Sequence, residues 1–152
     1  TAVASAIPKT IVDFSEIDED HMETIDKNLR FNNIDKNRSN VVHSSLFTKL
    51  PHRYDFILSN PPYIDETLNR VDTSVKNFEP HIALFGGIGG MEVITKIIEE
   101  AKDHLTSGGQ LWIEHEPEQS DAILEIGNQY LYTVNTHRDQ YGTERYSVLV
   151  VQ

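Results

Sequence analysis

Short apolar runs of strand length alternate with amphipathic stretches of helix length along this chain, and that alternation limits the fold more than any other feature. Residues 10–14, 40–44, 54–59 and 110–114 have the length and the β-branched or aromatic content of buried strands. Between them lie helical patterns. Residues 18–32 carry Met22, Ile25 and Leu29 as an apolar stripe, with Asp18 or Asp20 as cap. Met91, Ile94, Ile97, Ile98, Ala101 and Leu105 line one face of a second helix, which Ser107-Gly108-Gly109 is expected to close. Residues 117–127 give a third. Residues 1–7 read as the tail of a helix stopped by Pro8. Two strands, 132–136 and 146–151, end the chain with Gly142 in their connection. The expectation is an α/β fold: a mostly parallel sheet with helices on both faces, finished by an antiparallel hairpin. No repeat, low-complexity tract or Pro/Gly/Ser linker divides the 152 residues, so residues 1–152 are expected to form a single domain.

Composition narrows the function. No apolar run approaches the length of a spanning helix, and no signal-peptide pattern opens the chain. Cysteine is absent, which removes disulfides, thiolate metal sites and a cysteine nucleophile, and fits an intracellular protein. The histidines show no metal-ligand spacing, so no metal is expected. A formal net charge of -11 repels phosphate backbones, and direct nucleic-acid binding is not expected.

The most specific local signal is Leu58-Ser59-Asn60-Pro61-Pro62-Tyr63. It ends an apolar strand, and open α/β sheets place ligands at the carboxyl ends of their strands. Pro61 biases Asn60 towards an extended backbone. Two prolines fix φ and remove two N–H donors, leaving a stiff loop that presents mostly acceptors. A side-chain carbonyl, a neighbouring backbone carbonyl and a flat aromatic face suit a planar NH2 group, from an amide or an amino base. Ser59 is not a nucleophile elbow, because no glycine flanks it. Glu16, with Asp13 and Asp18 near it, ends the first strand; such an acid either accepts ribose hydroxyls or simply favours the following helix N-terminus. Gly86, Gly87, Gly89 and Gly90 either cradle a phosphate or form a flexible turn into the helix at Met91. No Gly-Lys-Ser/Thr follows them, which favours the turn.

With its flanks, the loop resembles a known family. Ser59-Asn60-Pro61-Pro62-Tyr63-Ile64, then Phe78-Glu79-Pro80-x-x-Ala83-Leu84-Phe85-Gly86-Gly87, Gly90, Leu105-x-x-Gly108-Gly109, Glu114 and Gln119 resemble the HemK/PrmC-type release-factor glutamine methyltransferases, as does Arg138-Asp139-x-x-Gly142-x-x-Arg145. The resemblance covers nearly the whole chain. It implies a Rossmann-like class I methyltransferase sheet and S-adenosylmethionine as cofactor. It also implies N5-methylation of the glutamine in the Gly-Gly-Gln motif of class 1 peptide-chain release factors. Asn60 and the carbonyl of Pro61 or Pro62 would take the amide hydrogens, and Tyr63 would pack on the amide plane. Glu16 matches the position that binds the cofactor ribose, and Asn60 lies beside its methionine end. Glu79 and Pro80 would shape the substrate side. Where the family has an acid near the adenine this chain has Ser44-Ser45, so Ser45 would bond the adenine amine more weakly. The family's first strand and its Asp-x-Gly-x-Gly-x-Gly loop have no counterpart here, and the chain is expected to lack them. The implied location is a bacterial-type cytoplasm or a mitochondrial matrix. Two other readings remain: an amino-methyltransferase of nucleic acid, acting on adenine N6 or guanine N2, and a non-catalytic methyltransferase-like module that binds a partner protein.

Overall fold

The computed structural model describes residues 1–68 and 78–152. Of the loop expected over 64–77, only its beginning falls within the described residues, as a single 3-10 turn at Glu66–Leu68. The chain divides into two compact units, Thr1–His52 and Arg53–Gln152.

In the first unit, α1 (Ala2–Ala6), β1 (Val12–Glu16), α2 (Glu19–Phe31) and β2 (Ser39–His43) follow one another. β1 and β2 pair in parallel, with Phe14 opposite Val41. Ala4, Leu29 and Ile34 form the buried centre, flanked by Val12, Phe14, Ile25 and Val41. The Asp18 side chain accepts from the Asp20 amide at 3.0 Å and caps α2, as its sequence suggests. The first strand sits two residues later than expected. Thr10 is held in a turn by its amide and hydroxyl, both bonded to the Ile7 carbonyl, and so cannot join the ladder. The shift makes Glu16 the last residue of β1.

In the second unit, β3 (Tyr54–Ser59), α3 (His81–Leu84), α4 (Glu92–His104), β4 (Leu105–Glu114), α5 (Ser120–Gln129), β5 (Tyr132–Arg138) and β6 (Glu144–Val151) form a sheet in the order β3-β4-β6-β5. β3 and β4 are parallel; β6 runs antiparallel to both β4 and β5. Leu111, Ile113 and Leu149 are fully buried together with Ile94, Ile98 and Ile123 of α4 and α5. The alternate residues Phe56, Leu58 and Trp112 are partly exposed on the opposite face.

Two glycines serve other ends than those their spacing suggests. α4 stops at His104, because buried Leu105 already pairs with Tyr54 in the sheet. Gly108 (φ +75°) lies further on, where the β3–β4 register shifts between Tyr54 and Phe56. Gly127 lies inside α5, where its missing side chain makes room for Val134: a Cβ there would overlap that side chain.

Candidate active site

The loop Asn60-Pro61-Pro62-Tyr63 leaves the sheet at the end of β3, with Pro61 buried and Asn60 exposed. Three separate supports hold it. The first is the glycine loop. The Ile64 amide donates to the Leu84 carbonyl (3.1 Å), and the Gly86 amide donates to the Ile64 carbonyl (3.0 Å), so the two segments run side by side. A Cβ on Gly86 would overlap the Pro62 carbonyl, and one on Gly90 (φ +68°) would overlap the Tyr63 carbonyl. Glycine is required at both positions because backbone lies directly on backbone.

The second support is Gln119, nearly buried at the turn before α5. Its Nε2 donates to the carbonyls of Tyr63 and Gly89, both at 2.9 Å, and its Oε1 accepts the Glu116 amide at 2.9 Å. The third is Glu114, at the end of β4, whose Oε1 accepts the Tyr63 hydroxyl at 3.2 Å. Burial pushes the Tyr63 phenol above its ordinary value, and the neighbouring Glu114 carboxylate pushes it further. Tyr63 is therefore a neutral donor with a tethered ring.

The glycine loop buttresses the acceptor loop and is no phosphate cradle. The Gly89 amide is bonded to Asp65 Oδ2 (3.0 Å) and the Ile88 amide to Glu92 Oε1 (3.2 Å). Carboxylates already occupy the donors a phosphate would use, and they repel it.

None of the described residues hydrogen-bonds the Asn60 side-chain amide, which is open to a guest. Beside it lies a cavity of about 330 Å³ whose lining includes Leu58, Trp112, Glu114 and Tyr146. Behind the site, His115 is fully buried. Its Nδ1 lies 2.8 Å from the Glu116 carbonyl, and its Nε2 lies 2.9 Å from Ser147 Oγ, which in turn meets Thr136 Oγ1. A carbonyl only accepts, so Nδ1 carries the proton and Nε2 accepts from Ser147. Burial holds the imidazole pKa below its usual value, and the ring is neutral.

Of the remaining residues expected at the site, Pro80 caps α3, accepting the Ala83 amide at 2.9 Å, and Glu79 is exposed just before it. Both belong to the segment that leads into Leu84 and Gly86, one step removed from Asn60. In the first unit, Glu16 ends β1 and Ser45 follows β2, so both occupy the carboxyl end of that parallel pair. Glu16 Oε1 accepts the Asp18 amide (2.9 Å), which leaves Oε2 for another donor. The Ser45 hydroxyl is exposed, on a loop whose geometry Ser44 sets: Ser44 Oγ accepts the Lys49 amide at 3.0 Å. Glu114 and Gln119 were visible only as members of a motif; their contacts with Tyr63 came from the fold. Among the described residues, no group of three or more His, Asp or Glu could hold a metal, and no helix is long and apolar enough to cross a membrane.

The fold is that of a Rossmann-like class I methyltransferase. A solved methyltransferase from Pyrococcus furiosus superposes with a TM-score of 0.70, at 23% identity, over 98% of this chain and 66% of that one. The family described as "Methyltransferase small domain" matches residues 1–79, and the chain belongs to it. Curated relatives narrow the likeness. The release factor glutamine methyltransferase of Francisella tularensis is 42% identical over 115 residues, covering 74% of this chain and 39% of that protein. That of Streptococcus pneumoniae is 31% identical over 155 residues, covering 97% and 54%. The chain thus spans about half the length, or less, of these relatives.

Proposed function

We propose that the protein methylates the side-chain nitrogen of a glutamine, in the Gly-Gly-Gln motif of a class 1 peptide-chain release factor. The observation that carries this reading is the division of labour among the loop carbonyls. The Tyr63 carbonyl is taken by Gln119, and the Pro62 carbonyl is turned against Gly86. Asn60 Oδ1 and the Pro61 carbonyl remain as neighbouring acceptors. Two acceptors match the two hydrogens of a primary amide. The names of the relatives support glutamine as its source.

An amide nitrogen is a weak nucleophile because its lone pair is delocalised into the carbonyl. Acceptors on both N–H bonds raise electron density at nitrogen and fix the direction of its approach. The tethered Tyr63 ring offers a flat surface for the amide plane. Among the described residues no strong base faces the loop, so solvent takes the proton that nitrogen loses.

The residues fit S-adenosylmethionine as cofactor. Within the first unit, Glu16 has a carboxylate oxygen left for the ribose hydroxyls and Ser45 an exposed hydroxyl for the adenine amine. When bound, the cofactor supplies an electrophilic methyl group, transferred directly with no covalent intermediate on the protein.

The test is methyl transfer from labelled S-adenosylmethionine by the full-length protein, offered a release factor and, separately, tRNA, rRNA and DNA. Label on the Gly-Gly-Gln glutamine is expected. Asn60→Ala should lower kcat by about 10²- to 10³-fold, the usual cost of removing a group that stabilises developing charge. Label on nucleic acid alone, or full activity in Asn60→Ala, refutes the reading.

A further inference from the structure

We propose that Gln119 is a positioning residue for methyl transfer. Its amide withdraws the Tyr63 carbonyl from the acceptor face and locks the glycine loop against the acceptor loop, so that Asn60 and the Pro61 carbonyl alone meet the guest. This rests on the reading of Asn60 and Pro61 as the acceptor pair.

The geometry is over-determined. Both Nε2 hydrogens are used, on Tyr63 and Gly89, and Oε1 is used on the Glu116 amide. A capping box fixes the Gln119 rotamer from the other side, since the Glu116 side chain also accepts the Gln119 amide. Glu116 in turn pairs with Arg145 at 3.2 Å, and Arg145 Nε lies 3.8 Å from Asp139 Oδ2. One side chain therefore ties together the loop after β3, the loop before α4 and the turn before α5. The three segments are remote in sequence, 56 and 30 residues from Gln119 to its two carbonyl partners. Gly90 makes the arrangement possible, because a Cβ there would also overlap Gln119 Nε2. A buried amide that spends both its donors on two loop carbonyls has no donor left for substrate, so it acts through the loop and not on the reactants.

The chemistry distinguishes positioning from mere packing. Gln119→Glu keeps the shape but places an acceptor against two carbonyls. Protonated, its carboxyl can donate to one of them; ionised, it repels both. Gln119→Leu removes both donors at every pH.

The experiment uses the full-length protein and these two variants, with melting temperature and S-adenosylmethionine affinity measured alongside. For Gln119→Leu, kcat should fall about 10- to 100-fold, as expected for a sub-ångström to one-ångström misplacement, with the KM for the release factor changed less than threefold. Gln119→Glu should recover activity towards acid pH relative to the parent protein, while Gln119→Leu runs parallel to the parent at all pH values. A second readout needs no substrate. Amide exchange at Ile64, Gly86 and Gly90 should quicken at least tenfold in Gln119→Leu, with the α5 amides unchanged. If exchange at those amides is unaltered, or if kcat stays within twofold of the parent, Gln119 does not position the loop. If the parent itself transfers no methyl to glutamine, the functional reading falls, and the exchange result alone decides whether the clamp exists.

Discussion

Single residues in the acceptor loop differ in what they contribute, and the glycines separate conformation from contact. Gly90 and Gly108 both have positive φ, +68° and +75°. Nothing lies within 4 Å of a Cβ on Gly108, whereas one on Gly90 would overlap the Tyr63 carbonyl and Gln119. Gly108→Ala should therefore cost only the left-handed backbone penalty, about 1–2 kcal/mol. Gly90→Ala pays that penalty and must also displace the acceptor loop, so it should destabilise by well over about 3 kcal/mol or abolish activity in a protein that still folds. Denaturant titration of the pair isolates the contact; equal losses would mean that the loop yields freely. Tyr63→Phe keeps the ring and removes the bond to Glu114. About 1 kcal/mol of stability should go with it. The freed ring should also lower kcat several-fold, measurable in the same methyl-transfer assay.

Elements were legible in the sequence where local chemistry sets them and illegible where distant groups do. Asp18 caps α2 as its position suggests, and Ile25 and Leu29 of its apolar stripe pack with Phe14 and Val41 of the strands. The end of α4 was misplaced because Leu105 obeys strand pairing rather than the glycines beyond it. The acceptor loop itself could be read from four adjacent residues. Its supports could not, because hydrogen bonds spanning 56 and 51 residues leave no periodicity in the chain. Arg38 is a further case. Its guanidinium donates to the carbonyls of Ala4 (2.8 Å), Ile7 (3.0 Å) and Thr10 (3.1 Å), closing the end of α1 and fixing the start of β1. Arg38→Ala leaves those carbonyls to water and should cost about 2 kcal/mol, read from the denaturation midpoint of the first unit. Lysine, with one nitrogen, should restore only part of this.

β4 and β6 carry a pH dependence of their own through His115. Burial depresses its folded-state pKa below the unfolded value of about 6.5, so the unfolded chain binds a proton that the folded one resists. Stability is thus complete above about pH 6.5 and declines as pH falls towards the folded pKa. Arg145 also disfavours the charged ring, while Glu144 and Glu116 partly favour it. His115→Gln should flatten the stability profile below about pH 6.5, measured by denaturation at each pH. An unchanged slope would place the titration on another histidine.

At the scale of the whole chain, charge decides between the protein-directed and nucleic-acid-directed readings of the same acceptor pair. A planar NH2 group belongs equally to glutamine and to adenine, and Asn60 with Pro61 cannot tell them apart by hydrogen-bond count. The surroundings can. The chain carries 24 acidic against 13 basic residues, a formal net charge of -11. Among the described residues, Arg145, which lines the cavity beside Asn60, is engaged with Glu116 and Asp139, and Arg138 pairs with Glu144. Asp65, Glu66 and Glu92 line the segments around the loop. A duplex or single strand would have to bring its phosphates across this field without releasing many counterions, which supply most of non-specific affinity. Non-specific binders usually reach dissociation constants of about 10⁻⁴ to 10⁻⁶ M at physiological salt. This chain should bind tRNA or DNA more weakly than about 10⁻⁴ M at 0.15 M salt, with a shallow salt dependence, in fluorescence anisotropy. Micromolar binding with a steep salt slope would reveal a basic face strong enough to overturn the assignment to a protein acceptor.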